Sequence, residues 1–329
     1  MAAVVGIQGW PRPVLRVLET LLVAGCYYAA GRIGLLRHLV VEGAVVTPMW
    51  PPTGVAVACL LILGLRCVPG IALGALLIVM SLATLRPSAL GIVAGNTAAP
   101  VCAYLLLRAA GFRTDLSRWR DGLALVFLGA FTAMLISAAA GAGMAVLTGE
   151  LTTDRFWPVW LAWWVGDAMG VVLVTPLLLL LSRARVPPLS PRWAEAAVLA
   201  VVVGVLGLPI VHSRVSLVFL VFPLLIWAAM RFQLAGSMPS ALYLSVLATV
   251  AATDRSGSFA RLTDIEVMMK LQAFNGTMSL TALLLSALIA EQRNTRHSVE
   301  HACEELVEAL DHLSAGESGR PWRAGGNDG

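Results

Sequence analysis

The residue of this chain best placed to do chemistry is Asp167. It stands about halfway along Phe156–Leu181, FWPVWLAWWVGDAMGVVLVTPLLLLL, a run long enough to cross a bilayer as a helix, which takes about 20 apolar residues. A carboxylate at that depth costs a few kcal/mol, so it must face a protein interior or a wet cavity. There it serves either a buried site or a structural pair, with an arginine or with Asn and Thr groups. On a helix Trp160, Trp163, Trp164 and Asp167 fall at i, i+3, i+4 and i+7, one face. Gly166 and Gly170 form a small-xxx-small pair that lets another helix come close. Thr175 precedes Pro176 and could satisfy a carbonyl that the proline frees. That face presents aromatic rings, an acid and a tight seam inside a helix bundle.

Two further stretches carry polar or shaped groups. Pro48-Met49-Trp50-Pro51-Pro52-Thr53-Gly54 opens a span. Proline suits a helix's first turn and tryptophan the membrane interface, so the stretch is a helix start with an anchor or a rigid ligand mouth. Asn96 and Thr97 lie mid-span after Gly91 and Gly95, where an interhelical hydrogen bond at a close crossing is the simplest role. No Ser/His/Asp or Cys/His set, Gly-rich nucleotide loop or metal-ligand spacing occurs, so no enzymatic activity and no cofactor are expected. The five cysteines, Cys26, Cys59, Cys67, Cys102 and Cys303, form no CxxC and suggest neither a disulfide framework nor a zinc site.

The elements that position these groups are transmembrane helices. The chain is 58% hydrophobic and 13% charged, against about 25% charged in soluble domains. Its net charge of +4 comes almost entirely from arginine, Lys270 being the sole lysine. Those arginines are scattered between apolar runs, which suits loops that orient spans and not nucleic-acid binding. The runs begin at about Val14–Leu36. A non-helical approach, Val40–Pro52, leads to short runs at Thr53–Leu65 and Val68–Thr84, which could be a hairpin or a re-entrant pair. Ala89–Leu107, Asp121–Leu147, Trp157–Leu181, Ala194–Val211, Val215–Met230, Ala235–Ala252 and Ile265–Ala290 follow. The fold expected is an all-α integral membrane bundle of about 8–10 transmembrane helices, ten if every run crosses. Arg108, Arg113, Arg118 and Arg120 crowd one loop, Arg183, Arg185 and Arg192 another, and Arg293 and Arg296 follow the last span. The positive-inside rule makes these sides, and both termini, cytoplasmic. Arg231 closes a span on that side as a topology anchor. Trp50 and the Trp157 end of the central helix then face outward.

Three regions result: a membrane part, 14–290; a helical tail, 291–313; and a polar C-terminus, 314–329, rich in Gly and Ser and expected to be disordered. Val299, Cys303, Leu306, Leu310 and Leu313 alternate four and three apart in the tail, a short heptad seam.

The strings WPPTG, GN, WWVGDAMGVVLVTPLLL and FPLLIWAAMRF, in this order and spacing, resemble the bacterial membrane-associated sensor domain of the first type, the MASE family, over roughly residues 14–290. The resemblance implies that Trp50, Pro51, Gly54, Asn96, Trp163, Trp164, Asp167, Gly170, Pro176 and Arg231 occupy the family's motif positions. Trp50, Pro51, Gly54, Asn96, Trp160, Trp163, Trp164 and Asp167 are thus the expected ligand-binding residues. Ala98 and Ala99 replace an acid or amide expected after the asparagine, and Gln233 stands where glycine is common. The family precedes a histidine kinase or a diguanylate cyclase; no phospho-acceptor box or GGDEF string is present, so a stand-alone sensor in the plasma membrane is expected. It would sense a ligand or the bilayer and signal through its last helix to a separate kinase, cyclase or other protein, with the tail able to pair as a homodimer. The alternative is a small-solute transporter with Asp167 as coupling acid.

Overall fold

The computed structural model describes residues 12–41, 43–82, 87–184, 192–213 and 217–318. Helix α1, Arg12–Leu35, leads to a two-stranded antiparallel hairpin, β1 Leu39–Val41 and β2 Ala44–Val46, paired Leu39 with Val46. Val40–Pro52 is therefore not simply irregular; its β-branched residues flank a turn at Gly43, whose φ of 83° suits glycine. Helix α2, Pro51–Leu63, starts on two prolines that need no N–H partner. A 3-10 turn, Leu65–Cys67, joins it to α3, Val68–Leu82. Then come α4, Pro87–Ala109; α5, Trp119–Ala124; a π-helical segment, Leu125–Thr132; α6, Leu135–Leu147; and α7, Phe156–Arg183. The chain continues through α8, Arg192–His212; α9, Val221–Phe232, with a 3-10 lead-in; α10, Leu234–Thr253; and α11, Asp264–Ser318.

Among the described residues eight helices are long and apolar enough to cross a membrane, and Pro51–Leu63 and Leu217–Phe232 are shorter. The protein is a multi-pass α-helical membrane bundle. Helix α7 is its axis, packing on α2, α6, the π segment, α10 and α11, with two thirds of its most apolar stretch buried. Helix α2 is buried from Pro51 to Ala58 and rises only about 20 Å at 1.5 Å per residue, so it sits inside the bundle as a partial span.

Glycine sets these distances. A Cβ on Gly170 would lie 1.9 Å from the Trp50 carbonyl oxygen, one on Gly54 2.2 Å from that of Gly170, and one on Gly166 2.6 Å from that of Thr47. The Gly166–Gly170 seam thus receives the extended segment Thr47–Trp50 as well as helix α2, and the Trp50 N–H donates to the Gly166 carbonyl at 2.9 Å. The Thr175 hydroxyl donates to the Gly54 carbonyl at 3.0 Å, tying α7 to α2 instead of repairing the Pro176 break. Gly91 and Gly95 lie against Met144 and Ala140 of α6, the close crossing their spacing suggests.

The hairpin packs its Leu39, Val41 and Val46 with Ala248 and Ala251 of α10, and with Val267 and Leu271 of α11. At the other end Arg231 pairs with Glu195 of α8 through two contacts of 2.5 Å, and Arg293 of α11 donates to the Met230 carbonyl at 2.9 Å. The Trp119 N–H that opens α5 donates to Glu291 at 3.0 Å. Helix α11 runs on without a break to Ser318, with Val299, Cys303 and Leu306 exposed; residues 319–329 and the side chains of Leu310 and Leu313 lie outside the described residues.

Candidate functional site

Helix α7 carries Asp167 against hydroxyls from two neighbouring helices. Thr53 of α2 donates to Asp167 Oδ1 at 2.7 Å, and the Ser137 hydroxyl of α6 reaches Oδ2. That hydroxyl also lies 2.9 Å from the Met134 carbonyl. It has one proton, so it serves either its own helix or the acid. No Lys, Arg or His among the described residues pairs with Asp167; of the two pairings expected it has the Thr, with Ser137 as the second partner and no Asn bonded to it. The carboxylate keeps acceptor capacity, having about four lone-pair positions.

Asp167 borders a cavity of about 400 Å³. Tyr27, Asn96 and Ser137 join it at depth, each about 12–17 Å along its helix from the end of the bundle that carries the hairpin. Trp50, Trp163, Ile78 and Ile92 form walls. Leu35, Leu82, Ser88 and Glu150, at helix ends or in a loop, and Val45 of β2 form the rim, where Ser88 donates to Glu150 at 2.7 Å. The Trp50 ring lies over Gly34 of α1 and shares the cavity lining with Tyr27. Trp163 occupies space that only a glycine leaves: a Cβ on Gly141 would be 2.1 Å from its ring. The cavity opens at the hairpin end, opposite the Arg108–Arg120 loop.

The expected site residues therefore divide. Trp50, Asn96, Trp163 and Asp167 come together around the cavity. Pro51 and Gly54 do not border it; they are buried where α2 meets α1 and α7 and fix the position of Trp50. Trp160 and Trp164 stack on each other, ring centres 5.8 Å apart, on the side of α7 that faces the π segment. There the Trp164 indole N–H donates to the Phe131 carbonyl at 2.8 Å. Wider helical turns leave carbonyls out of the α pattern, and Trp164 satisfies this one. On a helical wheel Trp163 and Asp167 lie to one side of Trp160 and Trp164, so one apolar face serves two neighbours.

Tyr27, Thr47, Ser137 and Glu150 were not marked by the sequence. Ser137, a hydroxyl among alanines and glycines in mid-span, carries the signal that could have found it; Tyr27 has none. Among the described residues no group of three or more His, Cys, Asp or Glu could hold a metal ion.

The segment that walls the cavity at Thr47 and Trp50 is also tied to α11, the helix that leaves the bundle. Gln272 of α11 donates from Nε2 to the Pro48 carbonyl at 2.7 Å, two residues from Trp50. Deeper in α11 the Asn275 amide is buried with neither polar atom partnered. A model of the MASE1 family matches residues 20–293. No curated protein and no solved structure matches the chain.

Proposed function

Because this chain belongs to the MASE1 family, we propose that it is the input half of a membrane signalling system, in which occupancy of the Asp167 cavity changes the packing of α11. The observation that carries this is the hydrogen bond from Gln272 to Pro48. The segment Thr47–Trp50 lines the cavity on one side and is held by α11 on the other. A ligand that favours one position of Trp50 favours one position of α11, and only such a difference in affinity can move the balance. Outside the membrane α11 continues as the tail, past Cys303 and Leu306, to a separate kinase, cyclase or second copy. By the positive-inside rule the arginine-rich loop supports a cytoplasmic tail and an outward cavity mouth. Trp50, Asn96, Trp163 and Asp167 contact the ligand in this reading. Pro51 and Gly54 hold Trp50 in place, while Trp160 and Trp164 brace α7.

The test is disulfide crosslinking at Cys303, which is free and exposed. In oxidised membranes Cys303 should crosslink between copies, and Leu306→Glu should abolish the product. Asp167→Asn should change its yield, and adding Gln272→Met should remove that change. A yield indifferent to Asp167→Asn would refute the coupling. A protein that instead moves solutes into vesicles in an Asp167-dependent way would be a transporter.

A further inference from the structure

The electrostatics of the cavity select a class of ligand. Its one deep charge is Asp167, whose two described partners are neutral hydroxyls. Among the described residues no Lys, Arg or His lines the cavity, so an anion would meet a carboxylate with no compensating charge. The wall along α3 and α4, with Ala75, Ile78, Val79, Ala89 and Ile92, is apolar and suits a ligand with an apolar body over one hydroxylated throughout. Trp50 and Trp163 border the same space, and indole faces attract cations, most strongly where water is excluded. The volume, about 400 Å³, falls in the range of sites that enclose small organic molecules, about 300–1,000 Å³. An apolar enclosure with an acid at depth and aromatic walls matches one chemistry.

We propose that the Asp167 cavity binds an organic amine cation, its charged nitrogen held by the Asp167 carboxylate between the Trp50 and Trp163 rings and its apolar body along α3 and α4. This rests on the reading of the cavity as the sensor's input site.

The test uses the full chain in lipid nanodiscs with Ile92→Cys on the cavity wall. It is labelled with a trimethylammonium-ethyl or a sulfonatoethyl methanethiosulfonate and read by mass spectrometry at residue 92. Relative to a free thiol, the cationic reagent should react at least about tenfold faster than the anionic one, as expected where a charged cleft concentrates ions of opposite sign. Asp167→Asn should remove that preference, and phenethylamine should slow the labelling where 2-phenylethanol does not. Equal rates, a preference for the sulfonate, or protection by the alcohol as good as that by the amine would overturn the cation assignment and leave the input site standing. If neither reagent reaches residue 92 or a Val79→Cys variant, while Val45→Cys at the rim is labelled, the cavity is closed to solutes. The input-site reading then falls as well.

Discussion

Gly170→Ala tests whether the contact between α7 and the Trp50 segment is as close as described. The added carbon would sit 1.9 Å from the Trp50 carbonyl oxygen and 2.8 Å from its carbon. Ordinary contact begins near 3.4 Å, so the two backbones must part by about 1.5 Å. Neither side yields easily, since both atoms met are backbone and the segment is pinned by the Trp50 N–H on the Gly166 carbonyl. Overpacking of this kind costs about 1–3 kcal/mol, and losing a buried hydrogen bond adds about 1–3 kcal/mol. Alanine returns up to about 1 kcal/mol as the better helix former, so a net loss of about 1–6 kcal/mol is expected. Gly143 of α6 has nothing within 4 Å of its would-be Cβ, and Gly143→Ala should gain up to about 1 kcal/mol. Denaturant unfolding of both variants in mixed micelles, followed by tryptophan fluorescence, measures the gap. If Gly170→Ala lies within about 1 kcal/mol of Gly143→Ala, the reasoning about the seam is wrong.

Gln233 joins α9 to α10 at φ 52° and ψ −137°, a backbone region that costs a non-glycine residue about 1–3 kcal/mol. Gln233→Gly should therefore raise stability by about 1 kcal/mol in the same unfolding assay, and Gln233→Ala should not. Reporter fusions after Arg120 and Leu313 should both report cytoplasm, and one after Glu150 the outside; an outside signal from the Leu313 fusion would mean that the spans are miscounted. Burial works against ionisation of Asp115, but the Ser117 N–H and hydroxyl and the Arg113 guanidinium hold its carboxyl below the ordinary range. Such a group stabilises the fold above its unfolded pKa, and that stability is lost as pH falls through the lower folded value. The stability deficit of Asp115→Asn should accordingly vanish on acidification below the ordinary carboxylate range, and a deficit that persists there would show that shape, not charge, matters.

What the sequence disclosed followed from strong periodicity and from cost. Asp167 in an apolar run had to be buried with partners, and Gly166, Gly170, Gly91 and Gly95 had to mark close approaches; each does. The partners themselves were hidden, because Thr53 and Ser137 come from helices whose rotation about α7 no single run encodes. Trp160 and Trp164 share the 3.6-residue face of Trp163 and Asp167, and only the positions of α6 and the π segment divide that face in two. The glycine expected at Gln233 gains a physical reason from its positive φ. The hairpin was not foreseen: the sequence marked Val40–Pro52 only as non-helical, and strands of three residues leave little pattern to read. Nothing in Leu125–Thr132 distinguishes a π turn from an α turn, as both bury the same apolar side chains.

That π segment makes chain length part of the cavity. An α-helical residue advances the rotation by about 100° and a π turn holds an extra residue in its wider loop, so tightening 125–132 to α geometry with no residue lost would turn all of α6 relative to α5. The Ser137 hydroxyl would swing off Asp167, and Gly141 would swing out from under Trp163. Every residue of the cavity would still be present, in the wrong phase. An insertion elsewhere between Trp119 and Ser137 would do the same, whereas one in the Thr148–Thr152 loop would not, because a loop does not transmit rotation. The spacing of residues along this span is therefore as much a determinant of the site as their identity.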